Sequence, residues 1–121
     1  MSFVSPSTIA SLSTMTRNQA DGTPHGLIKL DDNGNVLLYN QWESSMSGVA
    51  INTAEGKNFF TQVAPCTNNR LVYGRFKDGV SSGVMDQEFN YTFTYKMKPT
   101  NVKLRLYRGS DNSNWIFVDK K

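Results

Sequence analysis

Two short runs hold the residues best suited to chemistry. Cys66, the only cysteine among 121 residues, lies within Gly56-Lys57-Asn58-Phe59-Phe60-Thr61-Gln62-Val63-Ala64-Pro65-Cys66-Thr67. Upstream, Tyr39-Asn40-Gln41-Trp42-Glu43-Ser44-Ser45-Met46-Ser47 places a phenol, a carboxyl and a hydroxyl four residues apart. If residues 40–47 form a helical turn, Tyr39, Glu43 and Ser47 point the same way. A lone thiol in apolar company suits an attachment point. A phenol and a carboxyl in one interior suit the handling of a proton. Each residue alone has a plainer reading: a solvated carboxylate, a core-edge tyrosine, an inert buried thiol.

Other chemistries find little support. A nucleophilic role for Cys66 needs a base, and the only histidine, His25, sits in Gly22-Thr23-Pro24-His25-Gly26, which reads as an exposed or capping turn residue. One cysteine and one histidine do not make a four-ligand metal site. Glycine-rich phosphate loops are absent, and the chain is not expected to be an enzyme. The net charge is +3, with Lys96, Lys98, Lys103, Arg105, Arg108, Lys120 and Lys121 gathered late. Lys103 and Arg105 alternate with Val102, Leu104 and Leu106, as on the solvated face of a strand, so no nucleic-acid partner is expected.

Length and composition suit one folded domain with a single core. No apolar run approaches the roughly 18 residues that cross a membrane, and no membrane partner is expected. The start, Met1-Ser2-Phe3-Val4-Ser5-Pro6, lacks the basic and apolar regions of a signal peptide. With a single cysteine, this points to a cytoplasmic protein. No large apolar stripe demands a dimer, so a monomer or weak dimer is expected.

The elements that must position these residues follow from pattern. Residues 1–25 read as an N-terminal cap whose scattered apolar residues (Phe3, Val4, Ile9, Leu12, Met15) dock elsewhere; residues 26–121 read as the core. Gly26–Leu30 and Val36–Tyr39 flank Asp31-Asp32-Asn33-Gly34-Asn35, a hairpin signal in which both Asn33 and Gly34 tolerate positive φ. Glycines and Pro65 keep the middle helices short, and residues 70–82 form the clearest, with Val72, Phe76 and Val80 on one face. Period two then sets in: Phe89, Tyr91, Phe93, Tyr95 and Met97, then Val102, Leu104 and Leu106, then Trp115–Val118. Two strands, a helical middle and three antiparallel strands make an α+β plan, with a pocket between sheet and helices.

Several segments together resemble the photoactive yellow protein family: Gly56-Lys57-Asn58-Phe59-Phe60, Val63-Ala64-Pro65-Cys66-Thr67, Tyr73-Gly74-Arg75-Phe76-Lys77, Phe89 through Met97 and Trp115-Ile116-Phe117-Val118. The likeness runs from about residue 26 to the C-terminus, in order and with matching spacing. It implies a PAS fold: a central antiparallel sheet of five to six strands, flanked by short helices, with an N-terminal cap. It implies a blue-light photoreceptor with p-coumaric acid joined as a thioester to Cys66. Tyr39 and Glu43 would donate hydrogen bonds to the phenolate, and Ser47 would support Tyr39. Ile28, Phe59, Val63, Ala64, Pro65, Thr67, Tyr91, Phe93, Tyr95 and Met97 would line the pocket. After trans-to-cis isomerisation, Glu43 would pass its proton to the chromophore, and the charge left on Glu43 would partly unfold the chain toward an unidentified signalling partner.

Elementary electrostatics makes the Glu43 role sensible. A second negative charge at roughly 4 Å costs about 4 kcal/mol at an effective dielectric near 20. That raises a glutamic acid from about 4.3 to around 7, and burial adds to it. The chain departs from the family pattern in three places. Val49 stands where the best-known members carry an arginine that shields the pocket. Trp42 replaces a small residue and packs either near the chromophore ring or outside the pocket, and the loop at 109–113 is slightly shorter. The competing reading is a PAS-like module, or a fluorogen-binding derivative, that binds a ligand or partner without a covalent chromophore.

Overall fold

The computed structural model describes residues 2–94 and 98–121; Tyr95 and Met97, expected in the pocket, lie outside the described residues. The cap contains helices α1 (Pro6–Ala10) and α2 (Arg17–Asp21), joined by a 3-10 turn at Leu12–Thr14. Strands β1 (Gly26–Leu30) and β2 (Val36–Tyr39) lead into α3 (Gln41–Ser47) and α4 (Ile51–Ala54). After three further turns come α5 (Arg75–Ser82) and strands β3 (Asp86–Phe93), β4 (Thr100–Arg108) and β5 (Asn114–Lys120). The strands pair antiparallel in the order β2-β1-β5-β4-β3, the α+β arrangement the sequence predicts.

Both faces of this sheet are covered, because alternate side chains of each inner strand point to opposite sides. Ile28, Leu104, Leu106, Ile116 and Val118 face the helical middle of the chain. Leu27, Trp115 and Phe117 face the cap, where Val4, Leu12 and Ala20 are buried and Phe3, Ile9 and Met15 pack around them. The scattered apolar residues of the first 25 positions therefore dock on the sheet's second face. β5 is central and buried from Asn114 to Val118, which explains why Trp115–Val118 is apolar without alternation.

Local structure corrects three expectations. In the first hairpin only Gly34 takes a left-handed φ, 89°. Asn33 does not, because the Asp31 carboxylate organises the loop by accepting from the N–H groups of Asn33 (3.0 Å) and Asn35 (2.8 Å). The segment expected as one helix over 70–82 opens with a π turn, Arg70–Gly74, before α5 begins. Val72 and Phe76 are buried on its inner face, and Gly83 ends it with φ 78°. Third, His25 is neither exposed nor a cap. It is 2% exposed, with its ring edge-on to Phe3 and Phe117 at 5.5 and 5.6 Å, and Nδ1 donates to the Gly26 carbonyl (3.0 Å). A turn motif gave no sign of this, since the enclosing aromatics come from the cap and from β5.

Burial pushes the His25 pKa down, so the folded chain holds a neutral ring. The unfolded chain takes up a proton near pH 6.5, so His25 contributes stability above that pH and loses it as the pH falls through the lower folded value. We expect His25→Phe, which keeps an aromatic filler, to remove this contribution. Denaturant midpoints of wild type minus variant should fall between pH 7 and 5. A constant difference would show that the ring is free to charge in place.

Candidate functional site

The site is built around the junction of β2 and α3. Asn40 caps α3, its Oδ1 accepting from the N–H of Glu43 (3.1 Å) and of Leu27 on β1 (3.0 Å). Its Nδ2 donates to the carbonyls of Ala20 (2.8 Å) and His25 (3.0 Å). One fully buried amide thus fixes helix, sheet and cap together. Gly48, with φ 79°, ends α3 immediately after Ser47. Tyr39 closes β2 opposite Ile28 of β1.

This frame turns Tyr39, Glu43 and Ser47 toward one small cavity of about 10 Å³. Val49, Phe59, Val63, Ala64, Cys66 and Phe93 also line it. The two runs singled out by their chemistry therefore share one interior. Tyr39 Oη lies 2.8 Å from Ser47 Oγ, and the Val49 N–H donates to that same Oγ (3.2 Å). Either hydroxyl can be the donor in this bond; when Ser47 donates, the tyrosine hydrogen is left to point at whatever occupies the cavity. Glu43 is 1% exposed, and its Oε1 is buried with no hydrogen-bond partner among the described residues. Burial alone raises its pKa to about 8. A neighbouring negative charge is therefore not required to keep Glu43 protonated at neutral pH. Burial, with the nearby Glu43 charge second, holds the Tyr39 hydroxyl well above the usual tyrosine range, as a neutral donor.

Cys66 is a free, half-buried thiol in a short 3-10 turn, Pro65–Thr67, which follows a π turn at Phe59–Val63. Asn58 starts the π turn by accepting from the N–H groups of Phe60 and Thr61 (3.1 and 3.2 Å). Thr67 is buried and donates to the Ala64 carbonyl (2.6 Å). The Tyr91 hydroxyl donates to the Cys66 carbonyl, and Asn69 Nδ2 donates to both that carbonyl (3.1 Å) and Tyr91 Oη (2.7 Å). The backbone that carries the thiol is thus held from three sides.

Several expected pocket residues sit behind the lining. Ile28 is buried in the core that backs the cavity, Pro65 starts the turn, and Thr67 and Tyr91 brace it. Val49 is buried and on the lining, whereas Trp42 is half-buried against the core and not on the lining. One site residue has no chemistry of its own to signal it. A Cβ at Gly26 would lie 2.2 Å from Glu43 Oε1, so glycine on β1 makes the space for that carboxyl.

No family profile matches the chain. A photoactive yellow protein from Halochromatium salexigens is 42% identical over 111 residues, spanning 91% of this chain and 89% of that protein. Another, from Rhodothalassium salexigens, is 41% identical over 84% of this chain and 82% of its own length. The solved photoactive yellow protein domain of the sensor histidine kinase Ppr from Rhodospirillum centenum superposes with a TM-score of 0.87. It is 39% identical and covers 93% of this chain and 99% of that domain.

The Glu43 carboxyl makes a signed prediction. Folded, it stays protonated up to about pH 8; unfolded, it ionises near its ordinary value. Between those values the folded chain binds the extra proton, so this group's contribution falls as pH rises, by at most about 1.4 kcal/mol per unit. Denaturant midpoints of the ligand-free chain, taken relative to Glu43→Gln, should therefore decline from pH 5 to 8; a flat difference would mean an ionised or solvated carboxyl. Gly26→Ala should displace the carboxyl and weaken the same dependence.

Proposed function

This chain belongs to the photoactive yellow protein family and is a blue-light photoreceptor; we propose that it works through p-coumaric acid held as a thioester on Cys66. Family membership implies a chromophore. The observation that carries this identity and linkage is the shared cavity: a free thiol, a tyrosine hydroxyl with a hydrogen to give, and a buried protonated carboxyl with a bare oxygen. Tyr39 and Glu43 would hold the phenolic oxygen, and Cys66 Sγ would hold the acyl carbon. Phe59, Val63, Ala64 and Phe93 supply apolar walls, as a flat aromatic group requires. The bound group supplies a phenol of reference pKa about 10 and a double bond that blue light isomerises from trans to cis.

The protein's part is to store and release a proton. Tyr39 and Glu43 as neutral donors favour a phenolate in the cavity, since hydrogen bonds to the charged form lower its pKa. Ser47 keeps the Tyr39 hydroxyl aimed inward. When Glu43 gives up its proton to the phenolic oxygen it holds, a carboxylate is left whose Oε1 has no partner among the described residues. Such a charge costs several kcal/mol, enough to loosen the elements that enclose it. Those elements are α3, which carries Glu43, and the cap bound to it through Asn40. A downstream signalling protein would read the loosened state, with the receptor acting as a monomer or weak dimer. Among the described residues no helix is long and apolar enough to cross a membrane.

Adding activated p-coumaric acid to the purified chain tests this directly. A single adduct by mass, a blue-absorbing band that bleaches on illumination, and loss of both in Cys66→Ser are expected. No adduct, or one that survives Cys66→Ser, would favour a PAS-like module binding a free ligand. Glu43→Gln should keep the band but suppress the light-induced change in amide exchange; an unchanged rearrangement would remove Glu43 as the proton source.

A further inference from the structure

Tyr39 ends an edge strand, so its backbone N–H and C=O need partners that the sheet does not supply. Both partners belong to one ion pair. The Tyr39 N–H donates to Glu55 Oε2 (3.0 Å), and Arg17 Nη1 donates to the Tyr39 carbonyl (3.3 Å). Arg17 Nη2 donates in turn to that same Glu55 oxygen. Arg17 opens α2 in the cap, and Glu55 follows α4, so two distant segments close on one peptide unit.

The neighbouring residues extend the contact. Asn40 Nδ2 donates to the Ala20 carbonyl (2.8 Å), and the Gln41 N–H donates to Asp21 Oδ1 (2.7 Å). Positions 17, 20 and 21 share one face of α2, and that face meets residues 39, 40 and 41 in turn. This is the stretch that aims the Tyr39 hydroxyl and launches the helix bearing Glu43.

We infer that Arg17 and Glu55 are positioning residues for the Tyr39 hydroxyl, and that their ion pair couples the cap to the cavity. Resting on the chromophore reading above, the inference gives the pair a specific job: it keeps the Tyr39 backbone, and hence its hydroxyl, in the place from which it stabilises a phenolate. The Arg17 and Glu55 side chains are 43% and 26% exposed, so salt screens the pair while leaving Tyr39 and Glu43 in their buried places.

The test uses wild type, Arg17→Met, Glu55→Gln and the double variant, each treated with activated p-coumaric acid. Arg17→Met should raise the pH at which the visible band is half lost by about half a unit, a threefold change in proton affinity. Glu55→Gln keeps an acceptor for the Tyr39 N–H but breaks the pair, and should do the same. The double variant should shift no further than either single one. Adding salt to about 1 M, where charges are screened within about 3 Å, should move wild type toward the variants and leave them unmoved. Additive shifts, or none, would overturn the inference while leaving the chromophore reading intact. If wild type forms no adduct, that reading fails, and the ligand-free chain still decides the clamp. Its Tyr39 amide should exchange about tenfold faster in Arg17→Met and in Glu55→Gln; equal exchange would overturn it.

Discussion

A buried carboxyl with one oxygen unpartnered among the described residues is the constraint on which the rest of the structure turns. Glu43 Oε1 touches no donor among the described residues, and its place exists only because Gly26 has no side chain. An ionised carboxyl could not be left there, since the cost of an isolated buried charge rivals the whole stability of a small domain. A neutral one can stay, and burial supplies the neutrality. The chain therefore holds one proton whose departure is expensive, beside a tyrosine hydroxyl and opposite a wall that carries its only thiol. Photochemistry needs little more from a protein: a place where charge can be moved and a penalty that follows the move.

The penalty must be converted into motion, and the architecture supplies the route. The two sides of the sheet are joined through Asn40, which reaches Glu43 and β1 with its oxygen and the cap with its nitrogen. Strain in α3 is thereby strain in the anchoring of the cap. The cap is poorly able to resist. α1 and α2 have five residues each, well below the length at which a helix holds itself in water, so they persist through docking and capping. Thr16 and Gln19 form a complete capping box on α2, which sharpens its start without adding length.

The sequence carried much of this, and its gaps have physical causes. The four-residue steps Tyr39, Glu43, Ser47 could be read because a helix does place them together, although Tyr39 itself comes from the end of a strand. Strand alternation located β3 and β4, and Trp115–Val118 was legible as a closing strand, though not its cover on both faces, which the cap supplies from the far end of the chain. What escaped were contacts between segments remote in the chain. The pairing of Arg17 with Glu55, 38 residues apart, leaves no local pattern, and neither does the fit of Glu43 against Gly26. His25 misled for a related reason: its neighbours are turn formers, but its environment is made by Phe3 and Phe117. The π turns at 59–63 and 70–74 deviate from a helix by one residue per turn, which hydrophobic spacing does not resolve.

Val49 and Trp42 show how this pocket differs without losing its logic. Val49 lies on the cavity wall and brings neither charge nor donor, so the site's polar groups remain Tyr39, Glu43, Ser47 and the thiol. An apolar wall deepens the desolvation that keeps Glu43 protonated. Trp42 sits on the same helix, one residue from Glu43, yet packs outside the lining against the core. A large half-buried ring there adds apolar contact to α3 beside that of Met46. The helix that carries Glu43 is thus held by side-chain packing as well as by its caps.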